Sequence, residues 1–267
     1  MKTIANANNK GGVGKTTTSH NLARLISKDF DYKVLVIDMD QQMNLTDILY
    51  DSENTPSHGT IVDVFRSNPK PEDVIVKTKY ENVFLIPAHS ELVNVENEIA
   101  NKKNSTKFLR HWLAANDDVI SNIYGFDVVI IDCAPDVGKI ENNAFEAADT
   151  IIVVLIPSDQ AVQGLTPFAS KFAHPERENE IVILFNEYDS ENEICLEVEK
   201  SISSSNFPFK KHLIRAFIPR HKAIEKSNYK KCISIAEYDA KYFSEDKINP
   251  YKQYELFAKE LIERGII

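Results

Sequence analysis

Eight glycines occur in 267 residues, and three of them, Gly11, Gly12 and Gly14, fall inside the run Asn8-Asn9-Lys10-Gly11-Gly12-Val13-Gly14-Lys15-Thr16-Thr17. Glycines let successive backbone N–H groups turn inward around an anion, and a helix starting directly after them adds partial positive charge. Lys15 is then placed to pair with β- and γ-phosphates, and the Thr16 hydroxyl to ligate Mg²⁺. Two apolar runs end in acids. Val34-Leu35-Val36-Ile37 leads into Asp38-Met39-Asp40-Gln41-Gln42, and Val128-Val129-Ile130-Ile131 leads into Asp132-Cys133-Ala134-Pro135. Acids at the carboxyl ends of buried strands lie where open α/β sheets bind ligands. Asp132 has the position of a Walker B aspartate, holding a Mg²⁺-bound water.

These groups need a scaffold of alternating strands and helices. Strands are expected at Lys2–Asn6, Lys33–Asp38, Val83–Pro87, Asp127–Asp132, Ile151–Pro157, Ile181–Phe185 and Leu213–Ile218. Several are apolar at consecutive positions, as strands covered on both faces are. Helices are expected at Thr16–Ser27, Glu91–Asn101, Thr106–Ile123, Ile140–Ala147, Gln160–Phe172, Glu193–Ser203 and Pro250–Arg264. The alternation predicts an α/β fold, a doubly wound and mostly parallel sheet with helices on both faces. Residues 51–82 read as a loop, a short helix near Thr60–Phe65 and another loop. With no repeat and no long linker, residues 1–267 read as a single P-loop ATPase domain.

The loop departs from the ordinary Walker A pattern, because its first glycine would fall at Asn9 and a lysine, Lys10, follows instead. Lys10–Thr16 matches in full the K-G-G-x-G-K-[ST] signature of the ParA/MinD group of deviant Walker A ATPases, which this sequence resembles from about residue 3 to residue 264. Asp38, Asp40 and Gln42 match the group's D-x-D-P-Q pattern, with Gln41 in place of proline. Asp132 and Pro135 match its D-T-P-P, with Cys133 and Ala134 as departures. Ile218-Pro219-Arg220 and Glu237-Tyr238-Asp239 resemble its I-P-R and E-Y-D stretches. The resemblance implies ATP and Mg²⁺ as ligands, bound by Lys10, Gly11, Gly12, Val13, Gly14, Lys15, Thr16 and Thr17, with Asn186 and Pro219 near the base. It implies that Lys10 reaches the nucleotide of a partner subunit in an ATP-dependent homodimer. It assigns Asp40 to positioning the attacking water and Asp38 to the Mg²⁺ or water shell, so that Lys10, Lys15 and Asp40 form the catalytic set and Thr16, Asp38 and Asp132 the metal set. The first strand starts within three residues of the first methionine, which matches the short ParA/Soj type, without an N-terminal helix-turn-helix domain.

The net charge is −9, yet Phe207–Lys231 holds eight basic residues (Lys210, Lys211, Arg215, Arg220, Lys222, Lys226, Lys230 and Lys231) against Glu225. This segment coincides with the region where ParA-type proteins carry DNA-binding residues. It has few groups able to read base edges, so non-specific contact with duplex phosphates is the expected mode. The expected protein is thus a segregation ATPase for plasmid or chromosome, acting with a ParB-like adaptor on nucleoid DNA in the cytoplasm. The alternative within the group is a MinD-like membrane-associated ATPase. Its basic amphipathic tail is not matched by Pro250–Ile267, where three basic residues balance three acids and Tyr251, Tyr254, Phe257 and Leu261 form a stripe suited to docking on a core. No apolar run approaches the roughly 18–20 residues that span a bilayer, and no signal peptide is visible. The three cysteines, Cys133, Cys195 and Cys232, fit neither a disulfide framework nor a shared iron–sulfur cluster. The seven histidines lack metal-ligand spacing, and Trp112 is expected to pack on the sheet.

Overall fold

The computed structural model describes residues 1–51, 58–135, 138–170, 173–174, 177–178, 180–204, 210–227, 233–238 and 249–267. In chain order the elements are β1 (Lys2–Ala7), α1 (Lys15–Asp29), β2 (Val34–Met39), α2 (Asn44–Leu49), α3 (Ile61–Arg66), α4 (Pro71–Val74), β3 (Val76–Lys77), β4 (Val83–Ile86), α5 (Leu92–Ile99) and α6 (Phe108–Ala115). A π-helical turn at Asp118–Ile123 precedes β5 (Val128–Cys133), α7 (Lys139–Ala147), β6 (Thr150–Leu155) and α8 (Asp159–Ser170). Then come β7 (Ala173–His174), β8 (Arg177–Glu178), β9 (Glu180–Tyr188), α9 (Glu193–Ser203), a 3-10 turn at Lys210–His212, β10 (Leu213–Pro219), α10 (Lys222–Lys226) and α11 (Pro250–Glu263).

Eight strands form one sheet in the order β10-β9-β6-β1-β5-β2-β4-β3, parallel throughout except where β3 runs against β4. All seven expected strands are present. β2 and β5 are buried at every position, which is why they read as unbroken apolar runs. Successive side chains feed two opposite cores. Leu35 and Ile37 face a cluster with α3, α5, α6, α7 and α9, while Val34 and Val36 face one with α1, α2 and α11. Leu22, Leu25 and Ile26 carry α1 onto the second cluster, each contributing about 1.5–3 kcal/mol of burial.

The structure departs from expectation at short elements. The expected loop after Phe65 contains α4, started by Pro71 at its first position, followed by β3. The expected helix Thr106–Ile123 is α6, a break at Asn116 and the π-helical turn. The Lys171–Phe172 end of the Gln160–Phe172 helix lies outside the described residues. Trp112 is buried as expected, with Nε1 donating to the Pro69 carbonyl at 2.8 Å.

The outer strand β10 is sealed by α11. Tyr254, Phe257 and Leu261 of that helix are fully buried, as the stripe predicted, whereas its fourth member, Tyr251, is half-buried with its hydroxyl donating to Asp29. On the same helix, the buried Glu260 accepts from the backbone N–H groups of Arg215 at 2.9 Å and Ala216 at 3.3 Å. Arg264 donates to the Leu213 carbonyl at 2.9 Å and to Glu260 at 2.5 Å. These three backbone groups of β10 are thereby unavailable for pairing with another chain.

Candidate functional site: a pinned anion loop facing three carboxylates

The glycine run forms the turn from β1 into α1. Gly12 and Gly14 have φ of +75° and +92°, in the region that only glycine enters without strain. Gly14 is the residue before the helix, and no side chain caps the first turn. Its orphan N–H groups are therefore available to an anion. Two asparagines pin the loop. Asn8 Nδ2 donates to the Val154 carbonyl at 2.7 Å while its Oδ1 accepts the Lys10 N–H at 2.9 Å. Asn186 Nδ2 donates to the Val13 carbonyl at 2.7 Å.

The two lysines are placed differently. Lys15 is buried and curls over the loop, its Nζ donating to the carbonyls of Asn8 at 3.1 Å and Lys10 at 3.2 Å. Burial lowers its pKa, against the pull of Asp132. Lys10 is exposed at the mouth of the loop, with Nζ 3.4 Å from Gln160 Oε1. A cavity of about 430 Å³ opens there, lined by Asn8, Lys10, Gly11, Val153, Ile156 and Gln160 among others.

Parallel register sets Asn6, Asp132 and Asp38 side by side at the strand ends. Asp132 is fully buried; Thr16 Oγ1 donates to its Oδ2 at 2.8 Å and Ser19 Oγ to its Oδ1 at 2.7 Å. Asn6 Nδ2 in turn donates to Ser19 Oγ at 2.8 Å. Burial first, and the neighbouring Asp38 second, push the Asp132 carboxyl up to about 7. Asp38 is also fully buried. Its Oδ1 accepts the Asp40 N–H at 3.0 Å, and its Oδ2 accepts the N–H and hydroxyl of Thr46 at 2.8 and 2.7 Å. Burial holds this carboxyl up at about 6 despite those donors. Asp40 is buried too, with Oδ1 accepting the Gln42 N–H at 2.9 Å, whereas the Gln42 side chain is exposed.

This donor set suits Mg²⁺. The groups are hard oxygens, the Thr16 hydroxyl and the Asp132 and Asp38 carboxylates, and two buried acids side by side disfavour each other's charged form until a cation joins them. Among the described residues there is no cluster of three or more His, Cys, Asp or Glu fit to hold a metal alone. Mg²⁺ uses one or two carboxylates together with substrate phosphates, so such a cluster is not required. Glu96 fixes the far side of the loop after Asp132, accepting the Lys139 and Ile140 N–H groups at the start of α7 at 2.5 and 2.8 Å.

Asn186 thus reaches the loop, while Pro219 lies one strand farther out, paired with Tyr188. Gly11 is exposed in the turn, Thr16 and Thr17 are half-buried in the first turn of α1, and Val13 is buried. Cys133 is a packed core residue, its thiol pushed well above its ordinary pKa by burial. Of the basic set, Lys210, Lys211, Arg215, Arg220 and Lys222 are exposed. The Lys226 side chain, Lys230 and Lys231 lie outside the described residues. The set is not one cluster. Lys210 and Lys211 precede the seven-residue β10 and Arg220 and Lys222 follow it, a span of about 20 Å at ~3.3 Å per residue. Because β10 runs parallel to its neighbours, Arg220 and Lys222 share the nucleotide-loop end of the sheet. Sequence reasoning missed Thr46, Ser19, Asn6 and Asn8. Ser19, three residues after Thr16 on the same helix face, carried a readable signal.

The AAA domain family matches residues 1–183. The chromosome partitioning protein ParA of Caulobacter vibrioides is 32% identical over 227 residues, covering 83% of this chain and 81% of that protein. The chromosome-partitioning ATPase Soj of Treponema pallidum is 26% identical over 268 residues, 98% of each. In fold, the chain is similar to the ATP complex of McdA from Cyanothece, with a TM-score of 0.78 at 22% identity over 98% of this chain and 96% of that one. A signature loop on a strand-to-helix turn, carboxylates on the adjoining strand ends and likeness along most of the length converge: the chain belongs to the ParA/Soj family of partition ATPases.

Proposed function

We propose that this chain, one P-loop domain from residue 1 to 267, is an ATP-hydrolysing switch that segregates plasmid or chromosomal DNA. The observation that carries the reading is the division of labour between the lysines. Lys15 is folded over its own loop, and Lys10 stands exposed at the mouth, where its ammonium can reach a second subunit's triphosphate. Gly11–Thr17 cradle the phosphates through backbone N–H groups, and Asn186 holds the loop's shape. Thr16 and Asp132, with Asp38 behind them, would hold Mg²⁺, which supplies neutralisation of the β- and γ-phosphate charge. Asp40 orients the attacking water.

Pairing of two subunits doubles the exposed basic groups that β10 carries, Lys210 and Lys211 at one end, Arg215 midway and Arg220 and Lys222 at the other, into a surface for duplex phosphates. These groups offer little to read base edges, so binding is non-specific and salt-sensitive. A ParB-like adaptor stimulates hydrolysis and the subunits leave the nucleoid. Burial of the α11 apolar stripe in the core favours this reading over a membrane-attached switch, and no described helix is long and apolar enough to cross a membrane.

The test is an Asp40→Ala variant mixed with random duplex and ATP, ADP or no nucleotide. With ATP it forms a dimer by light scattering and retards the duplex. With about 6–10 phosphates neutralised, raising salt from about 50 to about 200 mM weakens binding on the order of 10³–10⁵-fold. A variant that stays monomeric with ATP refutes the mechanism.

A further inference from the structure

We propose that Thr46 is a positioning residue for hydrolysis, its hydroxyl fixing Asp38 and, through Asp38, the direction of Asp40; this rests on the role given to Asp40 above. Thr46 is buried near the start of α2. Its Oγ1 donates to Asp38 Oδ2 at 2.7 Å and accepts the Ala88 N–H, just beyond β4, at 2.9 Å. Its own N–H donates to the same Oδ2 at 2.8 Å. The other oxygen of Asp38 accepts the Asp40 N–H, and Asp40 accepts the Gln42 N–H. The chain Ala88–Thr46–Asp38–Asp40–Gln42 therefore ties the loop after β2 to the neighbouring strand's end.

The loop needs such a tether. It contains no glycine, and Met43 enters the left-handed region at φ +57°. A hydroxyl donates and accepts at once. Valine has the same shape and does neither, so Thr46→Val leaves the buried Ala88 N–H without its acceptor and Asp38 with one donor fewer. The methyl packing survives that change, as it does not in Thr46→Ser. A shift of about 1 Å in a reacting group's position can cost on the order of 100-fold in rate.

The experiment compares Thr46→Val, Thr46→Ser and Asp40→Ala in the full chain, measuring single-turnover ATP hydrolysis, affinity for a fluorescent ATP analogue and melting temperature. Thr46→Val is expected to slow kcat about 10- to 100-fold with affinity held within about threefold, and Thr46→Ser to recover to within about threefold of the parent. A parent-like Thr46→Val overturns the proposal. So does a Thr46→Ser as slow as Thr46→Val, which would assign the effect to the methyl. Loss of affinity in step with kcat also overturns it. Should the valine variant fail to fold, Thr46→Ala against Thr46→Ser makes the same comparison. Asp40→Ala separates the two levels: parent-like hydrolysis by it removes the role of Asp40 itself, whereas a slow Asp40→Ala beside a normal Thr46→Val removes Thr46 alone.

Discussion

Replacing Gly14 by alanine tests the anion loop at its tightest point. A Cβ at this position would lie 2.2 Å from Asn186 Nδ2, and the backbone there has φ +92°. Holding a residue with a Cβ in a left-handed conformation costs about 1–2 kcal/mol. The amide of Asn186 cannot move aside without releasing the Val13 carbonyl, 2.7 Å away, and a buried acceptor left without its donor costs about 1–3 kcal/mol. Gly14→Ala should therefore lose roughly 2–5 kcal/mol, a fall in melting temperature of about 4–20 °C at about 2–4 °C per kcal/mol. Asn186→Ala alone should lose about 1–3 kcal/mol. In the double variant the clash is gone and the bond is already absent, so its stability should match that of Gly14→Ala. It should be about 1–3 kcal/mol better than the sum of the singles. Urea unfolding of the four proteins without nucleotide measures this, and titration with a fluorescent ATP analogue shows whether the loop's shape is needed for affinity. Effects that add to within about 0.5 kcal/mol would refute the idea that Asn186 and Gly14 act as one unit.

Two further outcomes are expected. Lys10→Ala should retain measurable affinity for an ATP analogue but lose ATP-dependent dimerisation in analytical ultracentrifugation, and a normal dimer would remove Lys10 from the interface. His20, fully buried with Nε2 3.1 Å from the Tyr80 hydroxyl, is pushed down to about 3 by burial and then by Lys79. Below pH 6.5 the unfolded chain takes up a proton that the folded imidazole refuses, so this stabilisation is present at neutral pH and drains away as pH falls toward 3. At pH 5 the loss is about 2 kcal/mol, and His20→Gln should lack it. Equal loss between pH 7.5 and pH 5 in both proteins, by urea unfolding, would contradict that assignment.

The signature loop and the acids at strand ends were legible because their meaning is local. Gly11–Thr16 contains its own turn, its own helix start and its own charge. The buried strands were legible because a sheet covered on both faces needs unbroken apolar runs. What stayed hidden depends on partners distant in sequence. The amide of Asn186 meets a carbonyl 173 residues away, so its loop-holding bond leaves no trace in any window of sequence. Thr46 gains its role from Asp38 and Ala88, and α2 is too short, at six residues, to display a helical period. The basic segment misled in one respect: charge summed along a chain says nothing of which way a strand carries it, and β10 carries it to both ends of the sheet.

The carboxylate of Glu260 bears on how copies of the protein would gather on DNA under the proposed function. It sits on the backbone donors at the sheet's boundary, and at the opposite margin β3 has two residues. Among the described residues, one rim has the Arg215 and Ala216 N–H groups and the Leu213 carbonyl already bonded, and the other is two residues long. Under the proposed function, assembly beyond a pair is steered away from these groups and toward helical surfaces, loops or shared nucleic acid, where it dissolves without unzipping a β-ladder. The proposed cycle, in which subunits separate after each hydrolysis, is well served by such a boundary.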